Sequence, residues 1–140
     1  MPLNDYSDFI EDEMALIGLP CSYKVEIIYN KYGRGRFWIP ISIGTEEEIA
    51  DRNPSSSYFD FWFCPRDKEI FGINNKLNLP LQGKGFGRKI FEVVEKFAKH
   101  FCCTRIVINI NTNPEYWEHL GFRMQERDNK IIWVKELSDN

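Results

Sequence analysis

The sequence predicts a mixed α/β (α+β) fold: a sheet antiparallel at its two ends, with a parallel crossover in the middle. Three observations predict it. Residues 58–64 and 69–79 read as strands joined by Pro65-Arg66-Asp67-Lys68, and residues 122–126 and 130–136 as a second hairpin through Arg127-Asp128-Asn129. Between the hairpins, residues 77–101 pass from an extended segment through Gly83, Gly85 and Gly87 into a strongly periodic helix. Residues 105–110, Arg-Ile-Val-Ile-Asn-Ile, then form a nearly continuous apolar strand. Strand, glycine turn, helix, strand in that order is a right-handed crossover between parallel neighbours.

The remaining elements follow in order. Residues 8–17 read as a short helix with Ile10, Met14 and Ile17 on one face, Asp8 and Glu11 as a capping pair, and Gly18 with Pro20 as the stop. Residues 22–30 and 36–43 are strands joined by a glycine-bearing turn. Thr45 and Glu48 have the spacing of a capping box that starts a helix of one or two turns. In residues 58–64, Phe59, Phe61 and Phe63 alternate with Tyr58, Asp60 and Trp62 on the opposite face. In the main helix Phe86, Ile90, Val93, Phe97 and Phe101 form the apolar face, and Glu92–Lys96 and Glu95–Lys99 pair on the solvated side. Asn113-Pro114 starts a last short helix that ends at Gly121.

At 140 residues the chain suits one domain, residues 1–140, with 43% apolar and 15% aromatic residues to fill a core. A formal charge of −3 gives no electrostatic basis for general nucleic-acid binding. Cys21, Cys64, Cys102 and Cys103 show no C-x-x-C pair and no zinc spacing with His100 or His119, as expected for reduced thiols in a cytoplasmic protein. The acidic start Met-Pro-Leu-Asn-Asp, with no long apolar run after it, predicts neither a signal peptide nor a membrane span.

Residues 82–89 carry the chemistry. Glycines at a helix start let main-chain N–H groups converge where the helix dipole favours an anion, and Lys84, Arg88 and Lys89 add positive charge with no acid among them. Phe86-Gly87-Arg88 stands where a P-loop needs Gly-Lys-Ser/Thr, and Arg88 breaks the G-x-G-x-x-G of a dinucleotide turn. The spacing Gln82-x-x-Gly85-x-Gly87 resembles instead the Q/R-x-x-G-x-G pyrophosphate motif of the GCN5-related N-acetyltransferase (GNAT) family. Asn113-Pro114-Glu115-Tyr116-Trp117-Glu118-His119-Leu120-Gly121-Phe122 is similar to that family's second motif, a short helix ending in Leu-Gly-Phe. The resemblance covers roughly the C-terminal half of the chain.

The resemblance implies a mostly antiparallel sheet of about seven strands, a central parallel β-α-β crossover, and helices on both faces. It also implies an acetyl-CoA-dependent transfer of an acetyl group to a primary amine, by direct attack, with neither a metal nor a covalent enzyme intermediate. Gln82, Gly83, Lys84, Gly85, Phe86, Gly87 and Arg88 would hold the coenzyme A diphosphate. Leu77, Asn78 and Leu79 would border the pantetheine arm on a strand that splays from its neighbour, and Asn113 and Tyr116 would complete the site. The family's usual general acid is a tyrosine four residues before the glycine of Leu-Gly-Phe. That position is Trp117 here, and an indole N–H is no acid. Either Tyr116 serves as acid from a shifted register, or the thiolate leaves unassisted. Asp60, Glu26 and Glu69 are candidates for the base by strand location, with Asp60 placed amid aromatics.

In the family two helices separate the first two strands and help form the acceptor site; here residues 22–43 read as a hairpin. A protein amine, a polyamine, an amino sugar and an amino acid all stay open as acceptors, as do monomer and homodimer. No nucleic acid or membrane partner is expected. Two other readings stand beside this one: a non-catalytic acyl-CoA-binding or protein-interaction member of the same fold, and a nucleotide-binding module of another fold that rests on the glycine turn alone.

Overall fold

The computed structural model describes residues 3–30, 35–51, 57–77, 83–109 and 114–137. In chain order the elements are α1 (Leu3–Ala15), β1 (Ser22–Val25), β2 (Ile28–Asn30), β3 (Arg36–Gly44), α2 (Glu46–Asp51), β4 (Ser57–Cys64) and β5 (Glu69–Lys76). Then come α3 (Phe86–His100), β6 (Arg105–Ile108), α4 (Pro114–His119), β7 (Arg123–Arg127) and β8 (Lys130–Glu136). The strands form one eight-stranded sheet in the order β1-β3-β4-β5-β6-β8-β7, with β2 also on β3. Only β5 and β6 pair in parallel among the described residues, and α3 connects them. This is the mixed sheet with a central crossover that the sequence predicts.

The expected strand over residues 22–30 divides in two. Pro40 of β3 lies across from the break; its carbonyl accepts the Glu26 N–H at 3.0 Å, but it has no N–H to return. One ladder bond is therefore missing, and β1 ends where β2 has yet to begin.

The core lies between one sheet face and three helices. Phe37, Ile39, Ile41 and Ile43 of β3 and Phe59, Phe61 and Phe63 of β4 are buried there with Ile90, Val93, Val94 and Phe97 of α3. Phe97 meets Tyr6, Phe61, Phe63 and Phe101 at centroid distances of 4.8–5.9 Å. Each such buried ring contributes about 2–3 kcal/mol from the area it removes from water. Helix α4 joins this face through Trp117, which packs on Phe91 and Phe122. Helix α2 is on the other face: Gly44 alternates with the buried positions of β3, and a Cβ there would lie 3.2 Å from Glu48 Oε1. The Thr45–Glu48 capping box forms as expected, with reciprocal bonds of 3.0 and 3.1 Å.

Two sequence expectations are corrected. Helix α1 begins at Leu3, so Asp8 and Glu11 lie within it and form no cap. Tyr6 is the reason: it is buried against Phe37, Phe63, Phe97 and Phe101, and that packing draws the first turn into the helix. The charges of α3 also find other partners. Glu92 pairs with Arg88, Lys96 with Glu13 of α1, and Glu95 with Lys135 of β8. For Glu95 and Lys96, partners on neighbouring elements outcompete weak i, i+4 pairs, whereas Glu92 keeps an i, i+4 pair with the residue one turn before it.

The sheet opens at its centre. β5 and β6 pair through Glu69↔Arg105, Ile70↔Ile106 and Phe71↔Val107, and then part. Where they part, β5 carries one extra residue against β4, because the register steps from Trp62↔Phe71 to Asp60↔Asn74. The bulge contains Gly72 at φ +63°, a conformation L side chains adopt at a cost. Beyond it, no described strand pairs with β5 on the β6 side.

Gly72→Ala should lower stability by about 1–3 kcal/mol in urea unfolding, because the backbone is left-handed and the new Cβ would meet Trp62 Cδ1 at 3.0 Å. An unchanged midpoint would show that the bulge tolerates a side chain. Cys103, buried after α3, has its thiol pushed up to about 12 by burial. Its neutral form is favoured in the fold, so this contribution is full below about pH 9 and lost as pH rises toward about 12. The melting temperature of Cys103→Ala should accordingly fall less steeply above pH 9 than that of the unsubstituted protein; parallel slopes would contradict this.

Candidate active site

The glycine turn stands at the head of α3. Gly83 and Gly85 take φ of +73° and +79°, and Gly85 is the N-cap residue, with no side-chain cap. A Cβ built on either glycine meets nothing within 4 Å, so among the described residues no side chain fills the space beside these glycines. Lys89 N–H donates to the Gly85 carbonyl at 3.1 Å and closes the first helical turn. The N–H groups before it, on Phe86, Gly87 and Arg88, precede the first intrahelical donor and have no carboxylate within that turn. Lys84, Arg88 and Lys89 are exposed around them. Arg88 lies 3.7 Å from Glu92 in a solvated pair worth little, and Lys89 lies over the Phe86 ring at 5.7 Å. The result is a main-chain nest with a positive rim, suited to a diphosphate.

This turn is one wall of a groove of about 560 Å³, lined by Asn75, Leu77, Gly83, Gly85, Phe86, Gly87, Arg88 and Tyr116. Leu77 continues β5 past the bulge and approaches Gly87, where a Cβ would lie 3.6 Å from Leu77 Cδ1. The groove thus runs from the nest to the strand that has left β6. Asn78, Leu79, Gln82 and Asn113 lie outside the described residues, as do Pro80 and Ile110.

Helix α4 sorts its two aromatics. Trp117 turns inward onto Phe91 and Phe122 at 6.0 and 5.4 Å, while Tyr116 is 44% exposed on the groove wall. The end of α4 fixes this orientation. Phe122 N–H donates to the Trp117 carbonyl and Gly121 N–H to that of Glu118, with Gly121 at φ +99°, which is a Schellman motif. Leu-Gly-Phe is therefore a helix stop whose phenylalanine, 1% exposed, anchors in the core.

Of the three acidic candidates, Asp60 lies nearest the opening. Its carboxylate accepts from Asn74 Nδ2 at 3.0 Å, and the next residue, Asn75, lines the groove on the other face of the sheet. Glu69 is only 8% exposed and is committed to Arg105 at 2.8 Å and Arg127 at 3.6 Å, so it is an ion-pair anchor rather than a free base. Glu26 lies across β3 from Asp60. His100 stacks on Phe9 at 4.6 Å, away from the groove-lining residues. Sequence reasoning missed the role of Gly72 and of Trp62 above it; an isolated glycine within a strand pattern was the available signal.

No family model and no curated protein matches the sequence, so the likeness to known proteins is one of fold. The structure of Tetrahymena GCN5 superposes with a TM-score of 0.53 at 8% identity, over 74% of this chain and 70% of that one. The ribosomal-protein-S18-alanine N-acetyltransferase of Escherichia coli gives 0.52 at 14% identity, over 72% and 70%. The PaiA N-acetyltransferase of Thermoplasma acidophilum, solved in complex with coenzyme A, gives 0.52 at 10%, over 71% of this chain and 61% of that one. With its open glycine turn, its parted central strands and its Leu-Gly-Phe stop, the chain has the fold of the GCN5-related N-acetyltransferases.

Proposed function

We propose that the protein is an acetyl-CoA-dependent N-acetyltransferase that passes an acetyl group to a primary amine by direct attack. The observation that supports it most is the groove itself: an unplugged glycine nest at a helix start, continuous with a strand edge that has separated from its neighbour. The main chain at Gly83, Gly85 and Gly87 and the first N–H groups of α3 hold the diphosphate, with Lys84 and Arg88 at its rim. Leu77 borders the arm. Acetyl-CoA, when bound, supplies the thioester carbon that the amine attacks.

Two side chains handle protons. Asp60 takes the proton that the amine sheds as its N–C bond forms. Tyr116 gives a proton to the sulfur as the C–S bond breaks, so charge is not left on the thiolate. Trp117, held in the core, positions Tyr116 rather than substituting for it.

Acetyl-CoA should raise the melting temperature of the folded protein, by linkage equivalent to about 2.7 kcal/mol at a hundredfold excess over its Kd. Gly85→Glu should abolish the rise, since a carboxylate would enter the nest. No rise at millimolar acetyl-CoA would reject the proposal, and an equal rise with ATP or NAD would assign the turn to nucleotides in general. Tyr116→Phe should cut turnover on the order of 10²-fold while leaving the acetyl-CoA shift intact. Equal turnover in the two proteins would reduce Tyr116 to a groove wall.

A further inference from the structure

β7 is the outermost strand of the sheet: among the described residues it pairs with β8 alone, and all five of its residues are exposed. The turn that joins the two strands decides which main-chain groups reach the open side. Asp128 and Asn129 stand between the paired Arg127 and Lys130 at φ +52° and +65°, the two-residue type I′ hairpin turn. Its flanking residues exchange both of their hydrogen bonds, and the pattern alternates from there. Arg127, Gln125 and Arg123 therefore bond to β8, while the N–H and C=O of Met124 and Glu126 point outward. Met124 is 61% exposed and lies on the helix side, since it pairs with the buried Trp133. Ile131, opposite Glu126 on the same side, is 57% exposed.

An open edge of this kind takes up another strand, and its charges select which. A second copy of the same edge can pair antiparallel about a two-fold axis perpendicular to the sheet. Outward-pointing residues must then face each other, so the axis passes through a residue and never between two. Through Arg123 or Arg127 it sets that residue's charge against its own copy. Through Gln125 it sets Arg123 against the partner's Arg127, at both ends. Through Glu126 it opposes two carboxylates. Like charges directly opposite are destabilising. Through Met124 none are opposed: Met124 meets the partner's Met124, and Arg123 meets the partner's Gln125 on each side of the axis. The partner's Phe122 then stands opposite Glu126, two strand spacings, roughly 10 Å, from Ile131. That turns Ile131 toward the groove of about 380 Å³ beside the partner's α4 stop, lined in each copy by Glu118, Gly121, Phe122, Arg123 and Met124.

We propose that the chain forms a two-fold dimer through β7, with Met124 on the axis, so that the two sheets run on as one. Three separate features agree on it. The edge presents main-chain groups that no described strand takes up. Its one charge-compatible register stacks the only apolar side chain of β7 on its own copy. The same register brings the exposed Ile131 to a groove on the facing molecule. The charges that would keep an unrelated strand off this edge are the ones that choose the register for a second copy. None of the residues lining the candidate active site takes part, so the dimer stands or falls apart from the transferase reading.

Sedimentation equilibrium of the full chain, from micromolar to millimolar concentration at low salt, tests this against the 16.6 kDa of one copy. The unsubstituted protein should approach twice that mass as its concentration rises. Met124→Lys sets two ammoniums face to face on the axis and should weaken association about ten-fold or more. Gln125→Glu sets a carboxylate opposite the partner's Arg123 on each side of the axis. It should tighten association by a factor of about two or more, a gain that misfolding cannot produce. Only the Met124 axis gives both results: an axis at Gln125 reverses the two, and an axis at Glu126 makes both substitutions tighten the pair. A monomer at every concentration, a dimer that Met124→Lys leaves intact, or a dimer that Gln125→Glu fails to tighten would overturn the proposal.

Discussion

The separation of β5 from β6 is the constraint on which the site depends. Three parallel pairs hold the strands together, and the extra residue at Gly72 then redirects β5. Trp62 lies over that glycine and stacks on Phe71, so the bend is backed by an indole rather than by solvent. A sheet that stayed paired to Leu77 would have no edge beside the glycine nest, and the groove would be closed by its own hydrogen bonds. Glu69, clamped by Arg105 and Arg127 at the first β5–β6 pair, ties the sheet at the end away from the opening.

The sheet's two faces divide the labour. The helix side is densely aromatic around Phe97 and supplies most of the buried area, and it fixes α3, whose first turn carries the nest. The other side bears the stacked rings of Trp38, Trp62 and Phe71, with α2 at its corner.

Much of this was legible in the sequence because it is local chemistry. The glycine turn, the Thr45–Glu48 box and the Leu-Gly-Phe stop are short-range devices, and each has a residue signature. The central crossover follows from one strongly periodic helix between two apolar strands. What was not legible depends on distant partners. The early start of α1 needs four aromatics from three other elements around Tyr6. The break between β1 and β2 needs Pro40 placed opposite it by register. Spacing alone could not divide the tasks of Tyr116 and Trp117; the Schellman turn at Gly121 and the pocket between Phe91 and Phe122 decide which ring turns inward.

Lys135 joins these parts mechanically. Its stem lies where a side chain on Gly121 would sit, 3.3 Å from the would-be Cβ, and its ammonium reaches Glu95 at 2.9 Å. One residue of β8 is thus wedged beneath the stop of α4 and bonded to the middle of α3. The tyrosine-bearing wall of the groove and its glycine-lined floor are braced against a common strut. Relative drift of the two would require withdrawing Lys135 from both at once, which keeps the distance between Tyr116 and the glycine turn set in advance of any ligand.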